Sequence, residues 1–252
     1  MSKTMTLETY RNALVTGATS GIGDAVVRAL CERDVNVLAV GRRGDRLAKL
    51  ASQTGCEVRS VDLTDMDSVR ALGEAEEWDI VVNNAGVLHG FEGLSDARPE
   101  DIDRTLDTNV RAIYHLLATA LPGMTARQRG HIVNLGSMAG LYALPGAIYG
   151  GSKAAVHMLC RSLRMELHGT GVKVTEIAPG RVETEIYRVG IRDEDKKRQL
   201  LQTGIDELRP EDVAAAVMYA IDTPPHVNVN LLEIQPTEQT YGGSQFVPAA
   251  SR

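Results

Sequence analysis

Short apolar runs alternate with amphipathic segments along most of this chain. Apolar runs of strand length cover residues 12–17, 35–40, 56–62, 78–82, 131–135, 172–177 and 228–235. Helical spacing of apolar residues occupies 23–33, 46–53, 65–75, 101–121, 149–167 and 210–221. Strands that alternate with helices imply right-handed crossovers, and therefore a parallel sheet with helices on both faces. The pattern predicts an α/β fold with a doubly wound, parallel, seven-stranded sheet, in one domain that spans residues 1–252.

Two segments depart from this alternation. Residues 1–10 are mostly polar, and we expect a loose N-terminal tail there rather than a secretion signal. Residues 183–209 are rich in charge and follow the sixth strand. A long segment at the carboxyl edge of a parallel sheet is a typical position for a substrate loop or lid.

Composition narrows the classes of partner. The chain has 252 residues, 43% of them hydrophobic, and a net charge of −6, which argues against a nucleic-acid partner. No apolar run is long enough to predict a membrane span. The three cysteines are far apart and lack a CxxC pattern, so we expect free thiols and a cytoplasmic protein. The six histidines have no ligand-like neighbours, and we expect no metal site.

A glycine-rich turn follows the first strand. Gly17, Gly21 and Gly23 have the spacing G-x-x-x-G-x-G, at the point where a strand passes into a helix. Glycines let the backbone approach a phosphate closely, and the amino end of a helix offers unpaired N–H groups. The turn, with Thr19, Ser20 and Ile22, predicts a pyrophosphate site. A strand-to-helix turn without a ligand is the alternative.

Two further segments end strands at the same edge of the sheet. Asp62 ends the third strand, and its side chain or the N–H of Leu63 could reach an adenine; a cap for the next helix is the alternative. The segment Asn83, Asn84, Ala85 and Gly86 ends the fourth strand. Small residues there would allow the backbone to run beside the adenosine ribose, although the same residues also form simple turns.

The end of the second strand predicts which nicotinamide cofactor binds. An acidic residue at this position accepts hydrogen bonds from a free 2′-hydroxyl, whereas arginine pairs with a 2′-phosphate. The chain has Arg42 and Arg43 here and no carboxylate at the strand end. Because the planar guanidinium group suits phosphate, we predict NADP(H) rather than NAD(H). A solvated basic loop is the alternative.

Tyr149 and Lys153 are four residues apart and share one face of a predicted helix. A nearby ammonium group favours the phenolate, so we expect Lys153 to lower the pKa of Tyr149 and make it a general acid and base. Ser137 follows the fifth strand and could orient a substrate oxygen, or cap a turn. Asn109 could hold a water that links Lys153 to solvent, or bridge backbone groups in its helix.

Together these motifs resemble the short-chain dehydrogenase/reductase family, in its branch of about 250 residues. The resemblance covers roughly residues 12–243 and includes the turn T-G-A-T-S-G-I-G, the segment N-N-A-G, the pair Y-x-x-x-K and the segment P-G-x-x-x-T. It implies a Rossmann-like sheet, a nicotinamide cofactor and a homodimer or homotetramer. It also implies a catalytic tetrad and a set of nicotinamide contacts. The tetrad comprises Asn109, Ser137, Tyr149 and Lys153, and the nicotinamide contacts are Pro179, Gly180, Val182 and Thr184.

The resemblance leads to a definite expectation of function. We expect an NADP(H)-dependent oxidoreductase that interconverts a small alcohol and its carbonyl compound, with Ser137 and Tyr149 contacting the substrate. The sequence is similar to the 3-hydroxy acid (serine 3-) dehydrogenases and the sulfoacetaldehyde reductases of this family, which points to a small anionic substrate. One of Arg181 and Arg188, which flank the start of the substrate segment, is then a candidate partner for the anionic group, the alternative being solvated surface arginines. A reductase of bulkier ketones, 3-oxoacyl or secondary-metabolite substrates is a second hypothesis. An NADP(H)-sensing protein without catalysis is a third.

Overall fold

The computed structural model describes residues 7–89, 93–240, 242–243 and 245–248. Its strands are β1 Asn12–Thr16, β2 Asn36–Gly41, β3 Glu57–Ser60, β4 Ile80–Asn83, β5 Gly130–Leu135, β6 Val172–Pro179 and β7 Leu231–Ile234. Its helices are α1 Gly21–Cys31, α2 Gly44–Thr54, α3 Met66–Glu74, α4 Pro99–Leu106, α5 Ala112–Ala126, α6 Met138–Leu141, α7 Ala147–Glu166, α8 Ile186–Gly190, α9 Glu194–Leu201 and α10 Pro210–Ile221. Each predicted strand is present, and its ends differ from the predicted ones by at most three residues.

Within the described residues the strands form one parallel sheet in the order β3-β2-β1-β4-β5-β6-β7. The strand order reverses between β1 and β4, because β1 pairs with β2 on one side and with β4 on the other. Ligands of doubly wound sheets bind beyond the carboxyl ends of the strands at such a reversal. The predicted fold, a Rossmann-like doubly wound sheet, is confirmed.

Apolar residues fill both faces of the sheet. Helices α1, α2 and α10 cover one face, where Val15 and Val26 belong to the same buried cluster. Helices α3, α5 and α7 cover the other face, where Leu14, Leu116 and Val156 are buried together. Central strands buried on both faces read as continuous apolar runs, which explains why they were visible in the sequence.

The N-terminal segment differs from the prediction. Residues 7–9 form a short 3₁₀ helix, and the side chains of Leu7 and Tyr10 are buried in the core. The expectation of a loose tail is therefore wrong for residues 7–10, because the side chains of Leu7 and Tyr10 pack in the core. Residues 1–6 of that predicted tail lie outside the described residues.

The long helix predicted at 101–121 is in fact composite. It consists of α4, a π-helical segment at Asp107–Arg111, and α5. Single π-helical turns are rare and often occur at functional sites, and this one contains Asn109. Among the described residues, no helix combines the length and hydrophobicity that crossing a membrane requires.

Candidate active site

A cavity of about 780 Å³ lies at the carboxyl edge of the sheet. Its size falls within the range of about 300–1,000 Å³ that is usual for ligand sites. Most of the predicted site residues line its wall. Those wall residues are Gly17, Thr19, Ser20, Gly21, Ile22, Arg42, Arg43, Asp62, Leu63, Asn84, Ala85, Gly86, Ser137, Tyr149, Lys153, Pro179, Gly180, Val182 and Thr184. The cavity therefore brings together motifs that are far apart in the chain.

The glycine turn is built for close approach. Gly17 and Gly21 have positive φ angles of 69° and 55°, which side chains with a Cβ rarely adopt. A Cβ atom at Gly23 would lie 2.4 Å from the carbonyl oxygen of Gly17 and 2.4 Å from Nδ2 of Asn84. Gly23 thus lies behind the cavity wall, and it serves packing of α1 on the turn rather than contact with a ligand.

The two asparagines after β4 have different roles. Asn84 donates from Nδ2 to the carbonyl oxygens of Thr16 (2.9 Å) and Gly17 (3.1 Å), which ties its loop to the glycine turn. Asn83 is buried and donates from Nδ2 to Oδ1 of Asn134 on β5 at 2.8 Å. The amide of Asn83 thus ties β4 to β5. Asn83 is not among the residues that line the cavity, and its predicted cofactor contact through the backbone stays a prediction.

One end of the cavity carries the residues predicted to bind adenosine. Oδ1 of Asp62 accepts hydrogen bonds from N and Oγ1 of Thr64 (3.1 and 3.0 Å), so Asp62 both caps a turn and lines the wall. Leu63 presents a buried apolar surface beside it. Arg42 is exposed, whereas Arg43 lies across the glycine turn with its Nη2 2.8 Å from Oγ1 of Thr19.

The opposite end of the cavity holds the predicted acid/base residues. Tyr149 and Lys153 lie on α7, with Nζ of Lys153 5.9 Å from the centre of the Tyr149 ring. Nζ also donates to the carbonyl oxygen of Leu135 at 2.7 Å. Ser137 shares a side-chain hydrogen bond with Tyr149, and its Oγ accepts from the N–H of Ala139 at 3.1 Å. The serine therefore caps α6 and contacts Tyr149 at once.

Burial dominates the protonation of this group. It raises the pKa of Tyr149, with a smaller rise from the neighbouring Tyr187, and the hydrogen bond from Ser137 opposes both effects. Burial also lowers the pKa of Lys153 to about 8, against the attraction of Glu176 and Cys160. The expected lowering of the Tyr149 pKa is therefore wrong as a net result, because the loss of water around the phenol outweighs the effects that favour the phenolate.

Asn109 occupies a fully buried position in the π-helical segment. Its Oδ1 accepts from the N–H of Val87 at 2.8 Å, while Nδ2 donates to the carbonyl oxygen of Val87 (2.9 Å) and to Oγ of Ser152 (3.0 Å). Both amide hydrogens are used by protein groups. This side chain therefore joins the loop after β4 to α7. Because its Oδ1 keeps a second lone pair, a water held between Asn109 and Lys153 stays a prediction.

Arg181 was one of the two predicted partners of an anionic substrate, and the structure corrects this prediction; Arg188 is exposed. Its side chain is buried behind the wall, with Nε 2.8 Å from Oε1 of Glu207. The guanidinium carbon lies 3.8 Å from the centre of the Tyr187 ring. The charge of Arg181 is therefore already balanced, and its contacts support the substrate segment.

We expect Arg181→Met to act on stability rather than on charge recognition. Leaving Glu207 without its partner should lower the free energy of unfolding by about 3 kcal/mol. The ratio of kcat/KM for a 3-hydroxy acid to that for its uncharged methyl ester should stay within about twofold of the wild-type ratio. Urea denaturation and steady-state kinetics measure these quantities, with Arg33→Met, which removes an exposed ion pair with Asp222, as control. A fall in kcat/KM for the acid but not for its methyl ester would show that Arg181 does recognise the anionic group.

Several wall residues were absent from the sequence predictions. They are Gly41, Val61, Val87, Leu88, His89, Arg104, Thr108, Leu135, Gly136, Glu185, Ile186, Tyr187, Val189 and Gly190. Most belong to the loop after β4 or to the segment around α8, where neither periodicity nor a motif distinguishes one residue from the next. Arg46 was also missed; it forms an ion pair with Glu185, 139 residues along the chain.

Comparison with known proteins identifies the class. Residues 11–195 match the family model of the short chain dehydrogenases. The chain is 39% identical over 240 residues to the NADP-dependent 3-hydroxy acid dehydrogenase YdfG of Escherichia coli K12, which covers 91% of this chain and 96% of that protein. It is 40% identical over 238 residues to the uncharacterized short-chain dehydrogenase/reductase y4eK of Sinorhizobium fredii, covering 94% and 96%.

Comparison with solved structures leads to the same class of protein. The closed form of serine dehydrogenase complexed with NADP+ superposes with a TM-score of 0.86 at 37% identity, over 92% of this chain and 97% of that one. Serine dehydrogenase from Escherichia coli superposes with a TM-score of 0.78 at 34% identity, over 91% and 100%. The protein belongs to the short-chain dehydrogenase family, and the predicted membership and oxidoreductase class are confirmed.

Proposed function

We propose that this oxidoreductase uses NADP(H) to interconvert a small 3-hydroxy acid, or another small anionic alcohol, with its carbonyl compound. Tyr149 is the general acid and base. One observation carries the proposal: Ser137, Tyr149 and Lys153 meet at one end of a cavity whose other end holds Arg42 and Arg43. The predicted cofactor, NADP(H), is confirmed by relatives such as YdfG and the NADP+ complex of serine dehydrogenase.

The cavity fits an extended dinucleotide with its phosphates at the glycine turn. The first N–H groups of α1 have no partner within the helix and can bind the pyrophosphate at Ser20, Gly21 and Ile22. Asp62 and Leu63, which line the wall beyond β3, would border the adenine. The wall residues of the segment after β6, namely Pro179, Gly180, Val182 and Thr184, would hold the nicotinamide end. Lys153 would hold the adjoining ribose.

Each catalytic side chain has a distinct task. The nicotinamide ring, when bound, gives or takes the hydride at the substrate carbon. Tyr149 donates its phenolic proton to the carbonyl oxygen during reduction and takes the proton back during oxidation. Ser137 hydrogen-bonds the same oxygen and orients it. Lys153, protonated below about pH 8, stabilises the phenolate that forms.

The substrate class rests on likeness to relatives. YdfG is named for 3-hydroxy acids, and serine, the substrate of the solved serine dehydrogenases, is itself a 3-hydroxy acid. A panel assay tests the class: NADP+ reduction with serine and other 3-hydroxy acids, hydroxysulfonates and secondary alcohols, and NADPH oxidation with ketones and 3-oxoacyl thioesters. Preference for the last two would favour the bulkier-substrate hypothesis. NADPH binding without turnover on any compound would favour a sensor.

Arg43→Ala is expected to raise KM for NADP+ by about 10- to 100-fold, because a charge-assisted contact with a phosphate contributes about 1.5–3 kcal/mol. KM for NAD+, which lacks the 2′-phosphate, should change little. Initial-rate kinetics with both cofactors measure the effect. Arg33→Ala is the control, since Arg33 carries the same charge in an exposed ion pair with Asp222. An equal rise in KM for NADP+ and NAD+ would show that Arg43 does not contact the 2′-phosphate.

We also propose a cytoplasmic homo-oligomer. Cys31, Cys56 and Cys160 are free thiols, as suits a reducing compartment. Tyr114 on α5 and Met158 and Met165 on α7 expose 50%, 55% and 82% of their surface, and their burial would favour association. Light scattering of the purified protein tests this, and a monomer at micromolar concentration would contradict it.

A further inference from the structure

An acidic side chain occupies the basic end of the cavity. Oε2 of Glu185 lies 2.7 Å from Nη1 of Arg43 and 2.9 Å from Nη1 of Arg46, and Oε1 lies 3.0 Å from Nη2 of Arg46. Both oxygens of one carboxylate are therefore held by two guanidinium groups. Glu185 and Arg43 also line the cavity wall.

Arg43 and Arg46 together have more hydrogen-bond donors than the carboxylate of Glu185 can accept from. Nε and Nη2 of Arg43 are 3.0 and 2.8 Å from Oγ1 of Thr19, and Nη2 is 2.6 Å from Oγ of Ser20. These contacts anchor Arg43 to the glycine turn. Arg42 lines the same end of the cavity, and Asp45 acts on Arg46, so three guanidinium groups face two carboxylates here. The excess positive charge suits a phosphate monoester with its three oxygens and a charge near −2.

Glu185 is attached to this site only loosely. The side chains of Arg43, Arg46 and Glu185 are each about 40% exposed, and exposed ion pairs contribute little because water screens them. Hydrogen bonds from Arg46 and Arg43 lower the pKa of Glu185 to about 2, so it is a carboxylate at neutral pH. An incoming dianion can therefore displace it at small cost.

From this geometry we infer that Glu185 competes with the 2′-phosphate of NADP(H) for Arg43 and Arg46, and so limits the preference for NADP(H) over NAD(H). The inference rests on the proposed function, which puts the 2′-phosphate at Arg43. It adds Arg46 to the phosphate site and Glu185 as the residue that weakens it. NAD(H) has a hydroxyl at this position and leaves the ion pairs in place.

Glu185→Gln tests the inference, because glutamine keeps the shape but loses the charge. Fluorescence titration should give a Kd for NADPH that is about three- to tenfold lower, the equivalent of two partly exposed ion pairs that no longer compete. The Kd for NADH should be unchanged. The gain should shrink at high salt, where such pairs are screened. Glu183→Gln, an exposed glutamate of the same segment, is the matched control and should leave both constants unchanged.

Calorimetry with 2′,5′-ADP and with 5′-AMP measures binding at the adenosine end of the cavity alone, with and without the 2′-phosphate. Tighter binding of 2′,5′-ADP alone in Glu185→Gln supports the inference. Weaker binding of both NADPH and NADH would show that Glu185 helps to hold the dinucleotide. Unchanged binding of both would show that Glu185 only forms a surface ion pair. Either result overturns the inference. Arg43→Ala separates the two proposals: if it leaves NADPH binding unchanged, the proposed phosphate position itself is wrong.

Discussion

Replacing Tyr149 by phenylalanine is expected to lower kcat by about 10²- to 10⁴-fold in both directions, the usual range for losing a general acid and base. The variant keeps the ring that lines the cavity and loses only the hydroxyl that shares a hydrogen bond with Ser137. Binding of NADPH should therefore persist. Single-turnover kinetics with NADPH and a ketone measure the chemical step, and fluorescence titration measures cofactor binding.

Tyr10→Phe is a matched control for that experiment. Tyr10 is also buried, and burial raises its pKa as it does that of Tyr149, but it packs in the core beneath the sheet. We expect this variant to retain wild-type kcat. If Tyr149→Phe kept kcat within about tenfold of wild type, another group would have to supply the proton.

Lys153→Met is expected to lower kcat/KM for carbonyl reduction by about 10²- to 10³-fold, since it removes a preorganised charge beside the group that becomes a phenolate. The pH profile gives a second readout. Because the pKa of Lys153 is lowered to about 8, the ammonium charge is present below that pH and is lost above it. Wild-type reduction should therefore fall as the pH rises through about 8, and in Lys153→Met this step should be absent.

The chain provides a close control for the lysine as well. Lys173 is buried, its pKa is also lowered to about 8 by burial, and its Nζ donates to the carbonyl oxygens of Thr223 (2.8 Å) and Pro224 (3.0 Å). It lies near the amino end of β6, away from the cavity at the carboxyl end. Lys173→Met should reduce stability while kcat and its pH dependence remain. An unchanged pH profile in Lys153→Met would show that a different group titrates near pH 8.

Features set by local spacing could be predicted from the sequence. The strands appeared as apolar runs because central strands of a parallel sheet are buried on both faces. Tyr149 and Lys153 were paired correctly because residues four apart share a helix face. The glycine turn was recognised for the same reason, since its backbone requirements fall within seven residues.

Features set by distant partners could not be predicted. Arg181 looked available to a substrate because nothing local reveals Glu207 as its partner 26 residues later. Glu185 meets Arg43 across 142 positions of the chain, and no periodicity marks such a pair. The direction of the Tyr149 pKa was missed because burial of the phenol depends on the whole cavity. The short helices α6, α8 and α9 have too few turns to leave a clear pattern.

The buried amide of Asn109 also bears on how this protein could be redesigned. It links the backbone of Val87 to the hydroxyl of Ser152 on α7, so its removal would disturb the scaffold as well as any reaction step. An inert version meant only to capture or store dinucleotide should therefore be made by altering Tyr149 and sparing Asn109. Inactivity in an Asn109 variant, taken by itself, would reveal more about architecture than about proton movement.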